Sequence, residues 1–436
     1  MRYVLIIAAL LVALTANAQQ KEAKTKQTKI YEFDAARTIV HFDATPDAKH
    51  WFAVDKFAQM QNIIINGKRE ELEFNEIPVA TAQLSPDGKT IVWMGLERNY
   101  DAQGFNTTKT HLYEHTNAGL TLHGKYTADY NSLQFFPRFN KWVAILQAAN
   151  NVNQSGEKDL VIVNGKVLSY GEQSPRMFSY DTTGTKWAYR STDKAKENLI
   201  SASGKQFLYE RRTSNPYLPS DDATVLSFTP DIKMFGSILD GRDYNIGFRS
   251  VAELFKTNYK STSSDTARSY IIFKNKKQPL FKWITNILMD TAGSTIAYLA
   301  SDPNEYGKPK RDDKKGVVVQ DGKIIAGPFH SVGKLFMSPS GKRIAYTASN
   351  GEYFEIYLDG KSLGKVGEYV DVSWSPDEKR MAYITMDDRA KMTVVANGKH
   401  SPAYDRIGRL GWQTKGNGLE YVAIRNISLQ KVVQDW

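Results

Sequence analysis

Side chains able to carry chemistry are thinly spread along this 436-residue chain. Cysteine is absent, which removes thiol nucleophiles, thiolate metal ligands and disulfides together. His111, His115 and His123 fall within one predicted hairpin. His111 and His115 share a strand face, but the nearest carboxylate, Glu114, points to the other face, so no metal is assigned. The pairs Asp221-Asp222, Asp312-Asp313 and Asp387-Asp388 lie in loops and lack the spacing of a calcium loop. Gly360-Lys-Ser-Leu-Gly364 spells the Gly-x-Ser-x-Gly nucleophile pattern. That elbow needs a strand before it and a helix after it, whereas here the first glycine closes a hairpin. Gly119-Leu-Thr-Leu-His-Gly-Lys125 has the outline of a phosphate loop, but Tyr126 stands where Ser or Thr is required. What remains is binding chemistry. Four long predicted loops, 96–109, 148–159, 240–268 and 301–315, carry Tyr100, Phe105, Tyr244, Phe248 and Tyr306 among Arg242, Lys308, Lys310 and Arg311. Aromatic rings beside arginine make interface anchors, so these nine residues are the candidate binding set. No cofactor is called for.

The elements that must hold these loops are announced by a turn that recurs nine times. It reads Thr45-Pro-Asp-Ala-Lys49, Ser85-Pro-Asp-Gly-Lys89, Phe136-Pro-Arg-Phe-Asn140, Asp181-Thr-Thr-Gly-Thr185 and Thr229-Pro-Asp-Ile-Lys233. It continues as Asp290-Thr-Ala-Gly-Ser294, Ser338-Pro-Ser-Gly-Lys342, Ser375-Pro-Asp-Glu-Lys379 and Gln413-Thr-Lys-Gly-Asn417. The gaps run from 37 to 61 residues, the signature of a repeat architecture. A second turn, Asn-Gly-Lys or Asp-Gly-Lys, follows in most units, at residues 66, 164, 321, 359 and 397. Both central residues of such a type I′ turn need positive φ, which Asn, Asp and Gly supply. Between the two turns a strand keeps a small residue next to an aromatic: Ala188-Tyr189, Ala297-Tyr298, Ala345-Tyr346, Ala382-Tyr383. Neighbouring strand residues face opposite sides, so each sheet shows a small face and a large one, and stacked sheets interlock.

A four-stranded sheet apolar on both faces needs a neighbour on each side. The expected fold is therefore all-β: a β-propeller of eight or nine four-stranded antiparallel blades. The last unit lacks a fourth strand, and Ile30-Tyr-Glu-Phe33 is a short strand without a blade, so the N-terminal strand is expected to close the ring. In an antiparallel meander both turn types lie at one end of the sheet, giving a basic face that carries Lys49, Lys68, Lys89, Lys166, Lys205, Lys323, Lys342, Lys361, Lys379 and Lys399. The long loops lie at the other end. Within 240–268, Val251, Leu254, Phe255 and Tyr259 are spaced for one face of a short helix.

Ser-Pro-Asp-Gly-Lys followed by a small–aromatic strand resembles the WD-like repeats of TolB-type propellers from bacterial periplasms. The match is best at residues 84–95, 337–348 and 374–385 and extends loosely over 40–435. The resemblance implies the fold. It transfers no functional residue.

Residues 1–18 read as a signal peptide, with Arg2, an apolar run from Val4 to Leu14, and Ala16-Asn17-Ala18 before the cut. Residues 19–29 read as a flexible leader, and residues 30–436 as one propeller domain with a rim insertion at about 240–268. The expected protein is periplasmic or extracellular, not a lipoprotein, without a transmembrane segment, and monomeric. Its net charge of +10 favours an anionic glycan or an envelope protein over nucleic acid. Two functions follow: a non-catalytic binding or assembly module at a bacterial envelope, or a channel-based lyase or hydrolase of an acidic polysaccharide. The second needs paired carboxylates, or His with Arg and Tyr, on the first strands.

Overall fold

The computed structural model describes residues 21–100, 106–135, 141–148, 160–170, 173–181, 187–193, 196–201, 204–210, 234–238, 252–257, 268–273, 276–301 (except 280, 282 and 291–293), 316–367, 370–413 and 418–435. Among these, every regular element is a strand apart from one 3₁₀ turn at Val79–Thr81, and no helix is long and apolar enough to cross a membrane. The strands fall into nine sheets within two compact units.

The larger unit comprises Asp34–Ala44 and Lys49–Lys365. Its first sheet orders Thr38–Ala44, Trp51–Phe57, Met60–Ile65 and Lys68–Arg69 as an antiparallel meander. The second repeats this with Gln83–Leu84, Ile91–Tyr100, Asn106–Thr116 and Gly119–Tyr126. The third uses Ala128–Phe135, Trp142–Ala148, Leu160–Val163 and Lys166–Tyr170. The sixth (Ile284–Met289, Ile296–Ser301, Gly316–Gln320, Lys323–Phe329) and seventh (Ser331–Met337, Ile344–Ser349, Phe354–Leu358, Lys361–Val366) follow the same order.

The middle of the chain departs from the template. The fourth sheet takes Met234–Ile238 onto its first strand, Gln173–Asp181, and the fifth holds three strands. One of those three, Ala252–Thr257, occupies the segment expected to be a helix. Leu254 pairs with Ile271 and Phe255 with Tyr270, so cross-strand pairing with Arg268–Phe273 prevails over the helical spacing of the apolar residues. The loop expected at 96–109 is also shorter, because both strands of the second sheet extend into it and Tyr100 pairs with Asn106.

In the first and seventh sheets the two turn types meet at one end. Asn66 and Gly67 take φ of 50° and 88°, and the pattern recurs at Asn164-Gly165, Asp321-Gly322 and Asp359-Gly360. In each case the turn residue bonds twice to the first residue of the second strand. Trp51 N–H donates to Asn66 Oδ1 (2.8 Å) and Asn66 N–H to Trp51 O (3.1 Å). Trp142 with Asn164, Ile296 with Asp321 and Ile344 with Asp359 do the same. In the second and seventh sheets the second strand follows a proline turn whose serine, Ser85 or Ser338, is buried. Ser85 Oγ donates to Asp87 Oδ1 (2.7 Å) and accepts from Thr90 N–H (2.9 Å), while Gly88 supplies a φ of 76°.

Sheets stack face to face as the small–large pattern requires. Ala297, Leu299 and Val318 of the sixth sheet pack on Leu335, Ile344, Tyr346 and Ala348 of the seventh. Phe52, Val54 and Ile63 of the first meet Trp93 and Tyr113 of the second, whose other side, Val92 and Met94, meets Trp142 and Leu146 of the third. Polar side chains also join neighbouring first strands. His41 Nε2 lies 2.9 Å from Ala82 O, Gln83 Nε2 donates to Leu133 O (2.6 Å), and Asn286 Nδ2 donates to Gly333 O (3.2 Å).

The smaller unit comprises Met1–Phe33, Thr45–Ala48 and Val366–Trp436. Its eighth sheet, Val370–Trp374, Met381–Met386, Met392–Ala396 and Lys399–His400, gains Lys21–Glu22 as a parallel edge strand. In the ninth, Gly418–Arg425 and Ser428–Asp435 pair, and Thr25–Glu32 adds to the latter, with Tyr31 opposite Leu429 and Glu32 opposite Ser428. The pairing expected of Ile30–Phe33 is present and starts earlier. Lys21–Glu22 and Thr25–Lys29, read from sequence as leader, are strand, although most of their side chains stay exposed.

Asn66→Ala should lower the urea midpoint by the equivalent of about 1–3 kcal/mol, because the Trp51 amide is left without an acceptor and alanine disfavours positive φ. Asn66→Asp, which keeps both the acceptor and the turn, should stay near wild type; equal losses would show that the double bond is not the lock.

Candidate functional site

At the end of the first sheet opposite its Asn-Gly turn, the second strand turns through Ala58 into the third. Trp51-Phe-Ala-Val54 is buried on both faces, and then Asp55 follows, only 1% exposed. A buried carboxylate needs partners, and here it has two guanidinium groups. Arg69 forks onto it, Nη1 to Oδ1 at 2.9 Å and Nη2 to Oδ2 at 2.6 Å. Arg37 Nη1 lies 3.4 Å from Oδ1 and donates to Asn62 Oδ1 at 3.2 Å; its Nε lies 3.7 Å from Asp34 Oδ2. Asn62 is itself buried and donates to Leu72 O. Thus held, the Arg37 guanidinium sits 5.2 Å from the centroid of the Phe57 ring, and that ring is 52% exposed.

The surface continues onto the second sheet. Phe57 pairs with Met60, and Asn75 Nδ2 approaches Met60 Sδ. Asn75 Oδ1 accepts from Arg98 N–H (2.7 Å), and Arg98 Nη2 pairs with Glu76 at 2.6 Å. This ridge of Phe57, Met60, Asn75 and Arg98 shows aromatic and arginine chemistry at the end where second strands turn into third strands. It is the end where sequence placed the binding loops.

Of the nine sequence candidates, Tyr100 ends the second strand of the second sheet; Phe105, Arg242, Tyr244, Phe248, Tyr306, Lys308, Lys310 and Arg311 lie outside the described residues. The Arg37–Asp55–Arg69 cluster was missed. Its signal was a lone acid directly after Trp51–Val54, a run apolar on both faces.

The histidines do not converge. His111 Nε2 lies 3.1 Å from Glu97 Oε2, and its ring contacts those of Phe74 and Tyr113, which also contact each other. His123 sits in a bulge between Leu122 and Gly124 and reaches Glu114 at 2.7 Å, and Trp142 Nε1 donates to the same carboxylate (3.3 Å). Among the described residues no group of three His, Asp or Glu could hold a metal ion. Asp387 accepts from Arg389 and Lys391 N–H, as a turn cap. Ser362, the serine of Gly-x-Ser-x-Gly, is on the fourth strand of the seventh sheet, after the Asp359-Gly360 hairpin. Residues Gly119–Tyr126, which have the outline of a phosphate loop, are strand.

Burial lowers the pKa of His111, with Lys125 acting in the same direction, against its hydrogen bond to Glu97. Burial also pushes the Tyr346 hydroxyl up to about 12, so this core ring stays neutral.

No family model and no curated protein matches the chain. Among solved structures it is similar in fold to the Dos1 propeller, at 10% identity over 81% of this chain and 92% of that one, with a TM-score of 0.36. It is similar likewise to the β-propeller domain of the Trilobed protease from Pyrococcus furiosus (11%, 74% and 97%, 0.39). A third similar structure is oligogalacturonate lyase from Vibrio parahaemolyticus (10%, 93% and 98%, 0.32).

Two outcomes test this description. Asp55→Ala strands two arginines and should cost about 3–5 kcal/mol in chemical denaturation; a loss below about 1 kcal/mol would show the cluster to be solvated. The unfolded chain protonates His111 before the folded chain does. Its contribution is therefore complete above about pH 6.5 and declines as pH falls below that value. His111→Gln should flatten this acid-side slope, and an unchanged slope would assign it elsewhere.

Proposed function

We propose that this chain is an exported, non-catalytic β-propeller of eight or nine blades that acts as a binding or assembly module at a bacterial cell envelope. Its ligand is a protein or glycan, and it engages the end where second strands turn into third strands. The observation that carries this reading is Phe57, half exposed beneath an arginine that a buried carboxylate holds in place. An exposed ring with a pre-set guanidinium binds at low entropic cost, because little side-chain freedom remains to be lost. Arg98, fixed by Glu76 and Asn75, extends the same chemistry.

Ring closure by the N-terminal segment belongs to this proposal. It is supported by the pairing of Thr25–Glu32 with Ser428–Asp435. Export rests on the charged, apolar and small-residue order of residues 1–18.

Mature chain beginning at Gln19 should capture its ligand from envelope extract. Phe57→Ala with Arg98→Ala should weaken that capture at least tenfold without lowering the thermal midpoint by more than a few degrees. Undiminished capture by the double variant would move the site elsewhere. Cleavage of an acidic polysaccharide by the purified chain would overturn the non-catalytic reading. Secretion with residues 1–18 retained would overturn export by a cleaved signal.

A further inference from the structure

The opposite end of the larger unit carries a different chemistry. In the first, third, sixth and seventh sheets the hydrogen-bonded lock brings the Asn-Gly or Asp-Gly turn against the start of the second strand. Lys68, Lys166, Lys323 and Lys361 follow those turns directly, and Lys89 and Lys342 sit in the proline turns of the second and seventh sheets. All six are exposed.

Neighbouring sheets present these ends on the same side. Gln83 bonds to Leu133 O and Phe135 N–H, and Asn286 to Gly333 O; each contact joins the first strands of two neighbouring sheets. Gln320, beside the sixth sheet's Asp-Gly turn, donates to Gly341 O in the seventh sheet's proline turn (3.2 Å). A Cβ placed on Gly341 would lie 2.8 Å from Asp290 of the sixth, so these tips are in contact.

The acids of this end are turned toward the backbone. Asp87 Oδ1 accepts from Ser85 Oγ and Lys89 N–H, and Asp321 and Asp359 accept the first amide of a second strand. Asp359 also pairs with Arg343. Lys68 Nζ comes no closer than 3.6 Å to Glu70, and Lys89 Nζ lies 4.0 Å from Asp87; the two lysine side chains remain 79% and 65% exposed. Each of these three carboxylates is thus tethered to its own turn, with Asp87 and Asp359 still 32% and 41% exposed, while the six lysines outnumber them and carry their ammonium groups on flexible stems.

We propose that this turn end docks onto an anionic lipid surface. Lys323, Lys342 and Lys361 sit on the adjoining turn tips of the sixth and seventh sheets, which suits an extended charged surface more than a threaded polymer. Each lysine near such a surface adds a modest attraction, and several together hold a soluble protein to it reversibly. This docking leaves the Phe57–Arg98 end free and does not rest on the function proposed for that end.

Cosedimentation of the mature chain with vesicles tests this, comparing phosphatidylglycerol mixed into phosphatidylcholine with phosphatidylcholine alone. Binding is expected to the anionic vesicles only and should fade as salt shortens the Debye length. Lys323→Gln, Lys342→Gln and Lys361→Gln combined should lower partitioning about 100-fold. Lys26→Gln, Lys109→Gln and Lys125→Gln, with the same change in net charge, should lower it far less, and Phe57→Ala should leave it unchanged. Should the turn triple fail to fold, Lys342→Gln alone should give about a fivefold loss. Equal binding to neutral vesicles, equal losses in the two triple variants, or binding to an acidic polysaccharide without binding to vesicles would each overturn the proposal.

Discussion

The double hydrogen bond between an Asn-Gly or Asp-Gly turn and the first residue of the second strand is the constraint on which the first, third, sixth and seventh sheets depend. Trp51, Trp142, Ile296 and Ile344 each give an amide to a turn side chain and a carbonyl to the same residue's backbone. Those amides lie at the start of buried strands, where an unsatisfied donor is costly. The bond fixes register, because sliding the third strand by one residue would break it and turn every apolar side chain to the wrong face. It also draws both turns to one end, and the chemistry of the two ends diverges from there.

With register fixed, the faces can interlock. Ala297 of one sheet lies in the same cluster as Tyr346 of the next, and in the smaller unit Ala382 does so with Tyr421. A small residue opposite a large ring keeps packing close without strain. Where first strands run beside each other the same economy applies to polar groups. His41, Gln83 and Asn286 carry hydrogen bonds from one sheet's first strand to the backbone of the next. Stacked apolar faces alone would allow neighbours to slide; directional bonds to fixed carbonyls oppose it.

The repeated sheet was legible because its determinants are local. A Ser-Pro-Asp-Gly-Lys turn needs five adjacent residues, and Ser85 closes it through Asp87 and Thr90. The segment 252–257 was misread because four apolar residues at helical spacing carry no record of the strand that pairs with them. The Arg37–Asp55–Arg69 cluster was missed for a related reason. Its members come from three strands or their flanks, and only folding brings them within hydrogen-bonding distance. A buried charge directly after the apolar run Trp51–Val54 was nevertheless a readable anomaly, since an acid buried there must find a partner.

Turn type, strand alternation and the pairing of small with aromatic residues were determined by the sequence alone, since each depends on φ preferences and side-chain size within a few consecutive residues. Which polar groups became partners was decided only by the tertiary structure. His123 pairs with Glu114 and Trp142 rather than with His111, and Thr25–Glu32 finds Ser428–Asp435 four hundred residues away. Such pairings depend on the distance between groups in space, and that distance exists only once the sheets have stacked.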